Sequence, residues 1–187
     1  MRIQPRLLDH PFYQAWMKGD ISVETLSAYH RSYLRLITRI PGFWRRVLKS
    51  FQPGFRGEHS IVADERRHVI LWKAWGRTLP PPPRVHSLTH LLRSLDAMNP
   101  SELLGALQAF EIQQPEVAKT KKAGLMRHYG FRASDLEYFD EHQREAAHIE
   151  FGSLLARDCA VRRDFKNGMA RGAVLLYGSL DIFPTGC

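Results

Sequence analysis

The sequence predicts an all-α fold, a bundle of roughly seven or eight helices around one core. Three observations predict it. Apolar residues recur at helical spacing along most of the chain, alternating β patterns are essentially missing, and proline, glycine and capping residues punctuate the periodic stretches. In order, His10 to Met17 reads as a short helix closed by Lys18-Gly19-Asp20. Ser22 is a good N-cap for the next helix, whose apolar face carries Val23, Leu26, Tyr29, Tyr33, Leu36, Ile37 and Ile40. Pro41-Gly42 ends or kinks it. A further helix runs from about Gly57 to Arg77, and Leu79 then meets Pro80 to Pro83, which no helix can continue through. Val85 to Met98 reads as a helix stopping at Asn99-Pro100, and Ser101 caps Glu102 to Gln114. Pro115 serves as a kink or as the first position of a helix that ends at Tyr129-Gly130. Ala133-Ser134 opens a long stretch through His142 and His148 to about Asp158, and a last helix runs from roughly Asp164 to Leu180.

The 187 residues suit one domain spanning 1–187, and 44% hydrophobic with 25% charged residues is a globular balance. No run of about 18 apolar residues is present, so no membrane span is expected. The N-terminal MRIQPRLLDHPFYQ lacks the apolar region of a secretory signal. Two cysteines, Cys159 and Cys187, cannot make a disulfide framework or a Cys-rich zinc site, and a reduced, cytoplasmic location is the expectation. The net charge of +8 and pI near 9.8 make nucleic acid the first partner to weigh. Arg31, Arg35 and Arg39 do form a stripe, but no recognition-helix or zinc-finger pattern accompanies it. The stripe reads as a solvated face, and nucleic acid is disfavoured.

The chemically loaded residues fall on three helices. Glu65 and His68 are three apart and share a helical face. Helical bundles with two metals use such Glu-x-x-His pairs, because a carboxylate bridges two ions while an imidazole holds one. Glu111 sits in the apolar stretch Leu103, Leu104, Leu107, Phe110, where a carboxylate on the core side needs a partner. The densest group is Asp140-Glu141-His142-Gln143-Arg144-Glu145-Ala146-Ala147-His148, with a second Glu-x-x-His in Glu145 and His148. On a continuous helix, Glu141, Glu145 and His148 share a narrow face, and His142, Glu145 and His148 a wider arc. Two such pairs plus a third carboxylate predict a carboxylate-bridged two-metal centre, with oxygen and imidazole ligands that suit iron or manganese. No glycine-rich phosphate loop is present, and neither cysteine has a histidine near it in sequence to make a nucleophile.

Several motifs also carry a resemblance. His10-Pro11-Phe12-Tyr13-x-x-Trp16 and Leu26-x-x-Tyr29-x-x-x-Tyr33 resemble the TenA/PqqC-like proteins of haem-oxygenase-like fold. Phe110-Glu111-x-x-x-Pro115-x-Val117-Ala118-x-x-Lys121-x-x-Gly124-Leu125 and His128-Tyr129-Gly130-Phe131 resemble one branch more closely. So do Tyr138-Phe139-x-x-His142 and Tyr177-Gly178-x-Leu180-Asp181. That branch contains the chlamydial protein associating with death domains and its bacterial relatives, and the similarity spans nearly the whole chain.

The resemblance implies a seven-helix bundle, usually dimeric, around a two-metal oxidase site with Fe/Fe or Fe/Mn, using O2 and an external reductant. Its ligands would be Glu65, His68, Glu111, His142, Glu145 and His148. The stretch from His142 to His148 is one residue shorter than the branch's usual motif and has Glu145 for an aspartate. Either a local change of helix winding brings His142 in, or Glu141 replaces it. The resemblance implies an enzyme of folate biosynthesis that makes p-aminobenzoate by consuming one of its own tyrosines. The matching tyrosine is Tyr13, the amino donor Lys121, and Tyr138 falls where the family has a tyrosine near the metals. The bland readings are that Tyr13 is a core aromatic and Lys121 a surface lysine beside Lys119 and Lys122. Competing functions are a sister oxidase acting on a free amino acid or fatty acid, and a non-catalytic bundle binding protein or nucleic acid. The thiaminase branch is disfavoured, since no cysteine lies near Glu111.

Overall fold

In the computed structural model, which describes residues 3–54, 59–144 and 146–185, helix follows helix and the described residues contain no strand. The helices are α1 (Pro11–Lys18), α2 (Val23–Ile37), α3 (Ile40–Phe51), α4 (Ser60–Gly76), α5 (Thr89–Asp96), α6 (Pro100–His128), α7 (Glu137–His142), α8 (Ala146–Cys159) and α9 (Arg162–Gly178). The fold is the all-α bundle that the periodicity predicts. None of these helices is long and apolar enough to cross a membrane.

Side-chain caps set the starts of α1, α2 and α6. The Ser22 hydroxyl accepts the Thr25 N–H at 3.1 Å, and the His10 ring accepts the Phe12 N–H at 3.0 Å, so each side chain caps its helix. Asn99 and Glu102 form a reciprocal capping box ahead of α6. Three joints differ from expectation. Pro41 sits in the first turn of α3, where its missing N–H is no loss, so it opens a helix as well as closing the previous one. Residues 85–88 are not helical, and α5 is confined to Thr89–Asp96. Pro115 neither ends nor begins a helix but lies inside the 29-residue α6.

α6 is the axis of the molecule, packing against α1, α3, α7, α8 and, most extensively, α9. The α6–α9 approach depends on small residues. A Cβ on Gly168 would fall 1.9 Å from the Glu102 carbonyl oxygen, and one on Gly172 would fall 2.6 Å from Ala106 Cα. Only glycine allows backbones that close. Around this axis the core is aromatic, with Phe12, Trp16, Tyr29, Trp44, Trp72, Trp75 and Phe139 fully buried. Buried carboxylates and ammonium groups are few among the described residues: Glu65, Glu111 and Lys121.

Candidate metal centre

Four helices contribute to one cluster of donor atoms. On α4, Glu65 and His68 face the same side, with His68 Nδ1 3.2 Å from Glu65 Oε2. α6 adds Glu111 and α8 adds His148, whose Nδ1 lies 3.9 Å from Glu65 Oε1 and 3.8 Å from Glu111 Oε2. One ligand atom from each of Glu65, Glu111 and His148 falls within 4.8 Å of the others, and all three residues are buried. The last residue of α7, His142, sets its ring 4.2 Å from that of His68, tilted by 46°. Its Nδ1 donates to the Tyr138 carbonyl at 2.8 Å, which leaves Nε2 as the lone-pair nitrogen. Burial, reinforced by His68, holds the His142 imidazole well below its ordinary pKa, in the neutral form a ligand needs.

The stretch expected as one long helix is broken here. α7 ends at His142, a turn covers residues 143–144, and α8 begins at Ala146. The break turns His142 inward and leaves Glu141 on the rim, where both its oxygens accept from Arg67 at 2.6 to 3.1 Å. Of the six ligands the sequence suggested, Glu65, His68, Glu111, His142 and His148 come together; Glu145 lies outside the described residues.

A second group of polar side chains lines the same cavity. α1 supplies Tyr13, α2 supplies Tyr29 and Tyr33, and α6 supplies Lys121. Lys121 Nζ donates to the Tyr29 hydroxyl at 2.5 Å, and that hydroxyl lies 3.3 Å from the Tyr13 hydroxyl. The Lys121 ammonium position is also 5.1 Å from the centre of the Tyr13 ring and 4.9 Å from that of Tyr29. Burial with no compensating carboxylate among the described residues pushes Lys121 down to about 7 from 10.5. Burial pushes the Tyr13, Tyr29 and Tyr33 phenols up, so all three stay protonated. Lys121 is therefore no surface lysine. Between the two groups stand Tyr138, 4.1 Å ring to ring from His142, and Trp72, 4.8 Å from Tyr138 and 6.0 Å from Tyr29.

The cavity itself measures about 70 Å³, which is room for a handful of waters or a diatomic gas. Tyr29 and Tyr33 also line the cavity, although the sequence reading placed them on an apolar stripe and in a resemblance motif without giving them a site role. A tyrosine hydroxyl on a buried stripe needs a polar partner, and that requirement was the available signal.

A bundle that gathers two buried carboxylates and three histidines, with no thiolate beside them among the described residues, offers donors that suit iron. The sequence agrees: the family model described as iron-containing redox enzyme matches residues 30–176, and the chain belongs to that family. Its curated relatives include the 4-aminobenzoate synthase of Chlamydia muridarum, 28% identical over 97% of this chain and 86% of that protein. The 4-aminobenzoate synthase of Nitrosomonas europaea is 31% identical over 75% of this chain and 69% of its own length. That of Chlamydia trachomatis is 26% identical over 95% and 86%.

Proposed function

We propose that the chain is an O2-activating dimetal oxidase that makes p-aminobenzoate from its own Tyr13, with Lys121 giving the amino nitrogen. The observation that carries this reading is the placement of a buried lysine amine against a buried tyrosine pair, in a cavity that also reaches the carboxylate–histidine cluster. The volume supports it further. A pocket for a separate organic substrate usually encloses about 300 Å³ or more, and about 70 Å³ leaves space for O2 but little for a fatty acid or amino acid.

Glu65, His68, Glu111, His142 and His148 would hold two ions, Fe/Fe or Fe/Mn, with Glu145 completing the set proposed from sequence. When bound, the metals would supply the activation of O2 that the oxidation requires. Turning a tyrosine side chain into p-aminobenzoate means forming a ring C–N bond as the phenolic oxygen leaves as water, and breaking Lys121 Cε–Nζ to free the nitrogen. It also means breaking Tyr13 Cα–Cβ and oxidising Cβ to a carboxylate, with O2 as the oxidant and the external reductant balancing its remaining electrons. The residues prepare three parts of this. Burial keeps a share of Lys121 neutral near pH 7, and only the neutral amine has a lone pair to give. The Tyr29 hydroxyl, between Lys121 and Tyr13, offers a proton a route from one to the other. The aromatic packing of Phe12 and Trp16 on Tyr13 excludes water and fixes the ring.

Iron- and manganese-loaded protein given air and reductant should release p-aminobenzoate and lose mass at Tyr13. Tyr13→Phe should keep its metals and release none. Product from Tyr13→Phe would refute the self-consuming version and leave a sister oxidase with a free substrate.

A further inference from the structure

We propose that Asp64 and Glu141, two carboxylates on the outer rim of the centre, are positioning residues that fix which ring nitrogen of His148 and of His68 faces the metals. The inference rests on the metal-centre reading given above. An imidazole ligand must present one nitrogen as a lone pair, and the other then carries a proton that needs an acceptor. His142 meets this condition through the Tyr138 carbonyl. His148 meets it through Asp64: Nε2 lies 3.3 Å from Asp64 Oδ2, while Nδ1 is the nitrogen facing Glu65 and Glu111. At His68 the same partner stands further off: Nδ1 donates to Glu65 Oε2 at 3.2 Å, and Nε2 faces Glu141 Oε2 at 3.8 Å, an ion-pair distance that would close to a hydrogen bond once Nδ1 turned its lone pair to a metal.

The two outer carboxylates have features that ligands lack here. Their side chains are 53% (Asp64) and 29% (Glu141) exposed, against 4 to 8% for Glu65, His68, Glu111 and His148. Glu141 is held in place from outside, because Arg67 bonds both its oxygens and also reaches Glu137 at 2.8 Å. Consecutive residues of a helix point about 100° apart, so α4 delivers Glu65 inward and Asp64 along the rim. Glu141 is thus placed outside the ligand set, as the partner of a ligand.

Titration of metal-free full-length protein with cobalt(II), read by visible absorption and by metal per chain, tests this. Asp64→Ala and Glu141→Ala should keep the wild-type number of ions but bind them about 10- to 100-fold more weakly, with altered cobalt absorption. Asp64→Asn and Glu141→Gln, which keep an acceptor oxygen, should recover most of the affinity. Asp158→Ala, an exposed carboxylate paired with Arg157 next to it in sequence, should titrate like wild type. Metal-free melting temperatures of the rim variants should stay within about 2 °C of wild type, excluding a general loss of structure. Wild-type affinity in both alanine variants would overturn the positioning role, as would the loss of a whole ion in Glu141→Ala, which would make Glu141 a ligand. A wild-type chain that takes up no cobalt would overturn the metal-centre reading itself.

Discussion

The two sides of the cavity are equally buried and electrically opposite. Glu111 is 6% exposed and Lys121 5%, and both project from α6, ten residues or about 15 Å of helix rise apart. On the Glu111 side, carboxylates and imidazoles crowd together and gain from a cation. On the Lys121 side, a cation lies among phenols and indoles with no carboxylate among the described residues, and burial drives it toward neutrality. The same desolvation therefore prepares one side to accept positive charge and the other to shed it. That division suits a reaction in which a metal site and a free amine must coexist without the amine becoming a ligand.

Removing one member from each side gives the largest expected difference. Glu111→Ala should lower metal affinity by more than about 100-fold, seen as metal-free protein by elemental analysis, whereas Lys121→Met should keep its metals. Equal loss in both would mean the two sides are one site. Next in size is stability. The folded pKa of Lys121, about 7, lies below the free value of 10.5, so between those values the unfolded chain holds a proton that the folded chain lacks. Wild-type stability should rise with pH across that window, and the burial cost is full below pH 7. Metal-free Lys121→Met should then be more stable than wild type by about 2–4 kcal/mol in urea unfolding at pH 6, with the gap shrinking toward pH 10. An equal gap at both pH values would show that the amine is not neutralised by burial.

A smaller effect concerns rate. Single-turnover p-aminobenzoate formation should climb by close to tenfold between pH 5.5 and 6.5 and level off above about 7, following the neutral amine. A profile flat through that range would remove Lys121 as donor. Smallest is His10→Ala, which removes the cap of the helix carrying Tyr13 and the 2.9 Å contact to Asp181. It should cost about 1 kcal/mol, or 2–4 °C in melting temperature, and leave metal content unchanged.

Much of this was legible in the residues. Helical spacing and caps locate most elements, and the Glu-x-x-His spacing with Glu111 singles out one side of the cavity. What escaped was whatever depends on partners distant in sequence. Pro41 looks like a stop until α3 is seen to begin on it, and Pro115 looks like a boundary although α6 runs through it. Spacing puts Lys121 at the centre of the stripe Val117, Ala118, Gly124 and Leu125, which Lys119 and Lys122 miss, but what closes over it is distant: Trp16, Tyr13 and Tyr29, about a hundred residues away in the chain. The arginine stripe lies at the surface: Arg31 and Arg35 are exposed, and Arg39 pairs with Asp96 at 2.5 Å.

Tyr13 is only 3% exposed, wedged between Phe12, Trp16 and the Lys121 amine. A chain that gives up this ring is left with a hole at its centre. Emptying a buried aromatic site costs about 3–5 kcal/mol, against a total stability of about 5–15 for a typical domain. Spent molecules would then sit near their melting threshold and be open to proteolysis, while unspent ones would not. Supply of the product would be counted in polypeptides synthesised instead of turnovers, and the used protein would be recycled as amino acids by the cell's ordinary quality control.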